Sequence, residues 1–306
     1  MSLTFLGLQQ ELADRTNLDQ TISANATRLK RWLNMIQQDI ASRYPWEWLY
    51  SNTFIQTVTD YTTGTITGSA GSTSITGLGT NWTSAYLNAY LQPANDTNWY
   101  QVSTVGGTTS ITLTKGLAAA VTAGTYILRT TYYDLPSNCF KVYDVRQTNT
   151  PRKLTNLGLF TLDAFRPDIQ TTNISQPTGY FLFGEDPLIA VTAQKQTLIG
   201  FFPTPDNIYN IQVRYILTQS DLSGDTDIPF IPVQYYGVLL DGAEYLASKF
   251  LNSQQESELK QSYEYSIEKM IEMENAHNDY FPIIGSSDTG TQSKFLQFPA
   301  NFENPV

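Results

Sequence analysis

Few residues of this 306-residue chain have the types and spacing that catalysis or metal binding requires. The sequence holds one histidine, His277, and one cysteine, Cys139. A Ser-His-Asp or Cys-His nucleophile and a His/Cys zinc site therefore lack the residues they need. No phosphate-binding glycine motif is present either. The sequence predicts no metal site, no cofactor and no nucleophilic enzyme.

Two close pairs of carboxylates are the remaining candidates for chemistry. Glycoside hydrolysis needs only two positioned acids, and the compact pairs are Asp225 with Asp227 and Glu185 with Asp186. The first pair precedes a helical segment, where the positive end of the helix dipole favours acidic side chains. A carboxylate-dependent hydrolase stays open as an alternative, although the simpler interpretation is that these acids stabilise the start of the helix.

Charge is concentrated in residues 241–279, which carry nine acidic residues against three lysines in a chain of net charge −10. One interpretation is an ordinary solvated helix face. The other is a wall that faces DNA and repels its phosphates, formed by Glu256, Glu264, Glu268 and Glu272. The acidic balance argues against sequence-independent binding to nucleic-acid backbones, because such binding needs clustered Lys and Arg.

A long amphipathic helix is predicted at about residues 20–44, after a short helix at 3–15. Asp19 or Thr21 can cap its start, and Pro45 ends it because proline disfavours helical geometry in the preceding residue. Trp46 and Trp48 can then fold back onto the last turn. The predicted helical core consists of these two tryptophans and apolar residues spaced three and four apart: Leu29, Leu33, Ile36 and Ile40.

The hydrophobic period changes from 3.6 to 2 at Ser51, which predicts β-structure over 51–229. Within it, residues 62–130 contain similar Gly- and Thr-rich hairpins and are expected to form a small barrel or sandwich. Apolar helical stripes return after Pro229. Helices from both chain ends must pack together, because none can bury its stripe alone. The predicted fold is α+β, with a helical domain (1–50 plus 230–279) and an inserted β-region.

Residues 280–306 show no periodicity, and aromatic residues punctuate this polar segment: Phe281, Phe295, Phe298 and Phe302. Such a pattern predicts an extended tail that docks onto a partner. A disordered terminus with incidental aromatics fits the composition equally well.

Composition also indicates where the protein is made. No run of about 18 apolar residues exists, so no membrane span is expected. A single cysteine excludes an intrachain disulfide framework, and the N-terminal residues do not resemble a signal peptide. We therefore expect synthesis and folding in a cytoplasm.

Four groups of motifs, in order along the chain, together resemble the head-to-tail adaptor proteins of tailed bacteriophages (the neck, or tail tubular A-like, family). The first is the helix end Leu33–Leu49, and the second combines Gly64–Thr67, Gly79–Trp82, Tyr100–Ser103 and Leu135-Pro136. The third combines Gln176–Leu182, Ile199–Asp206 and Val213–Tyr215. The fourth combines Thr226–Tyr236 and Gly242–Tyr245.

This resemblance implies a structural virion protein, made in the host cytoplasm, that connects the capsid to the tail. Such proteins form a homo-oligomeric ring, usually about twelve-fold, beneath the portal protein. The ring seats the next tail or nozzle component and lets DNA pass without specific binding. By resemblance, the helical domain approaches the channel and the C-terminal tail grips the portal. The family supplies no catalytic motif. The alternative function is a tail-fibre or receptor-binding module that recognises glycans, suggested by the Ser/Thr/Asn-rich strands.

Overall fold

The computed structural model describes residues 4–158, 174–188, 196–251 and 254–278. The helices are α1 (Phe5–Thr16), α2 (Ser23–Arg43), α3 (Tyr236–Phe250) and α4 (Glu256–Asn278). The strands are β1 (Tyr50–Gln56), β2 (Thr65–Gly68), β3 (Ser74–Leu78), β4 (Tyr90–Pro93), β5 (Tyr100–Gly107), β6 (Ser110–Leu113), β7 (Val121–Gly124), β8 (Tyr126–Arg129), β9 (Tyr132–Asp134), β10 (Cys139–Gln147), β11 (Arg152–Lys153), β12 (Thr155–Asn156), β13 (Gly179–Glu185), β14 (Thr197–Phe202) and β15 (Asn210–Leu217).

The predicted α+β fold is confirmed, with helices at both chain ends and an inserted β-region. One hydrophobic core joins α1 and α2 to α3 and α4. Four apolar residues of the predicted stripe lie fully or almost fully inside it: Leu29, Leu33, Ile36 and Ile40. In the described segments, no helix combines the length and the apolar character needed to cross a membrane.

Helix α2 ends just before Pro45, as predicted, whereas its start lacks the predicted side-chain cap. Tyr44 is extended, and the fully buried Trp46 donates its indole N–H to the Ile40 carbonyl over 2.7 Å. This bond satisfies one of the carbonyls that a helix end leaves free. At the other end, Ile22 precedes the helix without a side-chain cap. Asp19 instead accepts hydrogen bonds from the Thr21 N–H and hydroxyl, which stabilises the turn before the helix.

The predicted small barrel or sandwich is a seven-stranded antiparallel sheet in the order β7-β2-β3-β6-β5-β4-β8, curled into a half-barrel. It has its own core, in which Trp82 donates its indole N–H to the Tyr126 hydroxyl over 3.0 Å. The segment that enters this sheet and the last residue of its final strand are joined by an ion pair between Asp60 and Arg129, with a shortest N–O distance of 2.6 Å. The half-barrel therefore begins and ends at one point.

Two four-stranded sheets are formed by β1, which precedes the half-barrel in the sequence, and by β9–β15, which follow it. Their strand orders are β1-β15-β10-β11 and β12-β13-β14-β9, and they share a core. Strand β1 follows α2 after a short 3-10 helix, Glu47–Leu49, and pairs antiparallel with β15. Because β15 leads back towards α3, this pairing brings the two halves of the helical domain together.

Gly242 tests the packing of the helical domain. A Cβ atom at this position would lie 2.7 Å from Ile36 Cγ2 and 2.7 Å from Tyr263 Cε2. We expect Gly242→Ala to lower the free energy of unfolding by about 1–2 kcal/mol, because overpacking outweighs the gain in helix propensity. The measurement is urea-induced unfolding.

Gly237→Ala, also in α3, is the matched control, since a Cβ there meets no atom within 4 Å. It should leave stability unchanged or raise it by up to about 1 kcal/mol. Equal stabilisation by both substitutions would contradict the close approach of α3 to α2 and α4.

Candidate functional site

Helix α4 is fixed to α2 by a cluster of polar side chains, here called the helix clamp: Asp39 and Arg43 of α2 with Tyr263 and Glu264 of α4. The buried Tyr263 donates its hydroxyl hydrogen to Asp39 Oδ2 over 2.7 Å. The Arg43 guanidinium binds both Glu264 carboxylate oxygens, at 2.9 and 3.2 Å, and donates from Nε to Asp39 over 3.1 Å. The clamp therefore adds directional contacts to the apolar packing of α4.

The clamp changes the proton affinities of its members. Hydrogen bonds to Glu264 and Asp39 raise the pKa of Arg43, so its charge is secure. Burial, followed by the hydrogen bond and the negative charge of Asp39, raises the pKa of the Tyr263 phenol well above its usual value. Tyr263 therefore remains a neutral donor in the folded protein at every ordinary pH.

The eight acidic residues of the run that the structure describes divide into two groups, while Asp279 lies outside the described residues. The first group stabilises helix packing. Arg15 of α1 binds Asp241 over 3.0 Å and Glu244 over 3.4 Å, and a Glu274 carboxylate oxygen accepts the Glu47 N–H over 2.9 Å. Glu264 belongs to this group through its pair with Arg43. These acids have structural partners within the chain.

The second group faces away from the helical core. Glu258, Glu268 and Glu272 are exposed, and Glu256 is partly buried. Glu272 also binds Lys269 over 2.6 Å, which raises the pKa of that lysine. Of the four acids predicted to face a channel, Glu268 and Glu272 are therefore the most accessible, and Glu264 is occupied by the clamp.

The first predicted carboxylate pair has structural partners. Asp227 accepts the Ser223 and Gly224 N–H groups over 2.8 Å each, and these bonds lower its pKa. Asp225 binds Lys30 of α2 over 3.1 Å. These contacts hold the loop before α3 against α2, which is a sufficient physical reason for both acids.

The second pair is divided by burial. Asp186 is fully buried and accepts hydrogen bonds from the Asn88 side chain over 2.9 Å and the Leu188 N–H over 2.8 Å, whereas Glu185 is exposed.

Burial raises the pKa of the Cys139 thiol to about 11, so little reactive thiolate forms. Among the residues that the structure describes, no three His, Cys, Asp or Glu side chains gather as metal ligands.

An apolar groove lies between the start of α3 and the C-terminal half of α4. Its volume is about 1140 Å³, and Trp48, Tyr235, Val238, Met270 and Met273 contribute to its walls. Trp48 is partly buried here and packs 6.1 Å from Phe230, centroid to centroid. This groove could not be predicted from the sequence, because its walls come from three separate segments. The predicted docking residues Phe281, Phe295, Phe298 and Phe302 lie outside the described residues, so their role stays a prediction.

Comparison with known protein families identifies a structural adaptor of bacteriophages. The sequence model described as SU10 adaptor protein matches residues 80–282, which is well over half of the chain. The chain belongs to this family of phage head-tail adaptors and is a virion component. The predicted phage adaptor is thereby confirmed, while the tail tubular A-like subdivision stays a prediction. No curated protein matches the chain.

The helix clamp leads us to expect that the free energy of unfolding depends on pH through Tyr263. Tyr263→Phe removes the hydrogen bond to Asp39 and should lower the free energy of unfolding by about 1 kcal/mol near neutral pH. The unfolded phenol titrates at about pH 10, whereas the folded pKa is raised. The native protein therefore loses this contribution as pH rises above the unfolded value.

Urea unfolding across this pH range checks the expectation. The stability difference between native protein and Y263F should be constant below about pH 10 and shrink above it. Tyr265→Phe is the control, because Tyr265 is exposed, and it should change stability by less than about 0.5 kcal/mol. A difference that persists unchanged in alkali would contradict the buried, neutral phenol.

Proposed function

We propose that this adaptor forms a homo-oligomeric ring beneath the portal protein, connects the capsid to the next tail component, and surrounds the path of the DNA. The family match over residues 80–282 carries the proposal. A connector between capsid and tail must leave a passage for DNA, and a closed ring of identical subunits provides one. The resemblance of the neck motifs to ring-forming adaptors supports the same arrangement.

In this proposal, the outward face of α4 lines or approaches the channel. DNA that slides through a protein channel must not bind its wall, and exposed carboxylates repel phosphates. Screening limits this repulsion to about 10 Å at ordinary salt, so only side chains near the DNA contribute. The exposed Glu258, Glu268 and Glu272 meet that requirement, whereas Glu264 acts by holding α4 in position.

The C-terminal tail is proposed to contact the portal through its distal aromatics, Phe295, Phe298 and Phe302. Aromatic side chains combine a large apolar area with few rotatable bonds, which suits them to such contacts. A chain that ends at residue 292 should therefore assemble on the portal poorly. Binding of full-length and shortened protein to purified portal, measured by sedimentation, tests this proposal, and equal binding would contradict it.

The channel proposal predicts the effect of reversing charge. The double variant E268K/E272K should slow DNA ejection from assembled particles, because the new lysines attract phosphates and must release them during passage. The effect should diminish as salt is raised. Ejection kinetics, followed by fluorescence of a DNA-binding dye, provide the measurement.

The matched control is D14K/E185K, which reverses two exposed acids on α1 and β13 with the same change in net charge. This variant should eject DNA at the native rate. Equal rates for native protein and both variants, in particles with normal copy number, would contradict a channel role for α4.

A further inference from the structure

The apolar groove beside α4 is unusual in the exposure of its apolar side chains. Met273 is 64% exposed and Tyr265 61% exposed, and both line the groove. Phe230, packed on the groove residue Trp48, is 48% exposed. Cavities of about 300–1,000 Å³ suffice for a drug-sized ligand, so a groove of about 1140 Å³ can hold several side chains. Contiguous exposed apolar surface of this kind indicates a docking site.

The chain itself supplies a segment with matching chemistry. Residues 280–284 read Tyr-Phe-Pro-Ile-Ile, an uncharged and apolar run, and the following residues 285–293 are Gly, Ser, Asp, Thr and Gln. The run begins two residues after the end of α4, whose last three turns supply the groove residues Met270, Met273 and Glu274. Pro282 disfavours helical geometry in the residue before it, so the chain is expected to leave the helix direction here.

Chain length allows the same copy to supply the segment. An extended chain covers at most about 3.6 Å per residue, so residues 280–284 lie within about 20 Å of Asn278 of their own chain. Along α4, the groove residues Tyr265 and Glu274 lie about 20 Å and 6 Å from that point, at 1.5 Å per residue. The α4 side of the groove is therefore within reach of its own chain.

From this geometry we propose that residues 280–284 of the same chain turn back at the end of α4 and fill the groove, with Phe281 and Ile283 or Ile284 against Trp48 and Met273. The proposal does not depend on the ring or on the channel. It assigns Phe281 to the anchoring of the tail and leaves Phe295, Phe298 and Phe302 for the portal.

Oxidation of methionine by hydrogen peroxide tests the proposal on the unmodified, full-length protein. Met273 is more exposed than Met35 of α2 in the structure, at 64% against 45%. If residues 280–284 cover the groove, Met273 should oxidise several-fold more slowly than Met35, as measured by peptide mass spectrometry in dilute solution. The triple variant F281A/I283A/I284A should oxidise faster at Met273 and at the native rate at Met35. Oxidation of Met273 at least as fast as Met35 in the native protein would overturn the proposal.

An engineered disulfide tests whether residues 280–284 of the same chain occupy the groove. With the only native cysteine replaced (C139S), the pair S266C and I283C joins a groove residue to the tail. It should form an intrachain disulfide readily, since the two Cα atoms must approach within about 7 Å. The control pair E268C and I283C places the thiol on α4 outside the groove, nearer to Asn278 along the helix than Ser266 is, and should react slowly.

Equal rates for the two pairs would overturn the proposal, as would a disulfide between two chains, which would assign the groove to a neighbouring copy. Because both measurements use the isolated chain, failure of the ring proposal would leave them unaffected. Loss of portal binding on removal of residues 293–306, with Met273 still protected, would separate anchoring from portal contact.

Discussion

The packing of α3 against the other three helices is the interaction on which the helical domain depends. Helices α1 and α2 come from one end of the chain, α3 and α4 come from the other, and each has one apolar stripe that requires a neighbour. Gly242 of α3 lies against Ile36 of α2 and Tyr263 of α4, and burial of these stripes supplies the driving force, because removal of apolar surface from water is the main favourable term in folding. The helix clamp adds directional contacts between α2 and α4, since Arg43 binds Glu264 and Asp39 binds Tyr263.

The pairing of β1 with β15 explains why the β-region can be so large. Strand β1 leaves α2 and pairs with β15, which returns towards α3. The two ends of the inserted region are therefore adjacent, and everything between β1 and β15 can be elaborated without disturbing the helices. The ion pair of Asp60 with Arg129 repeats this arrangement on a smaller scale for the half-barrel.

Local patterns in the sequence predicted the elements, and partners distant in the chain determined the roles of individual residues. Apolar spacing and Pro45 were sufficient to locate the end of α2, because both act through nearby backbone geometry. Capping by Asp19 was wrong, since this side chain stabilises the preceding turn instead. Glu264 and Glu268 are indistinguishable in sequence, and only the position of Arg43, 221 residues away, separates a structural acid from an exposed one. The groove was unpredictable for the same reason, because it exists only after Trp48, Tyr235 and Met270 have come together.

We propose that this family member is a neck ring with one subunit for each subunit of the portal. The most direct test is its copy number per particle, by quantitative mass spectrometry of purified virions with the portal protein as internal reference. A ring of identical subunits predicts a one-to-one ratio to the portal, at about twelve copies each. A small multiple of three would instead indicate a tail fibre, and absence from the particles would contradict a structural role in the neck.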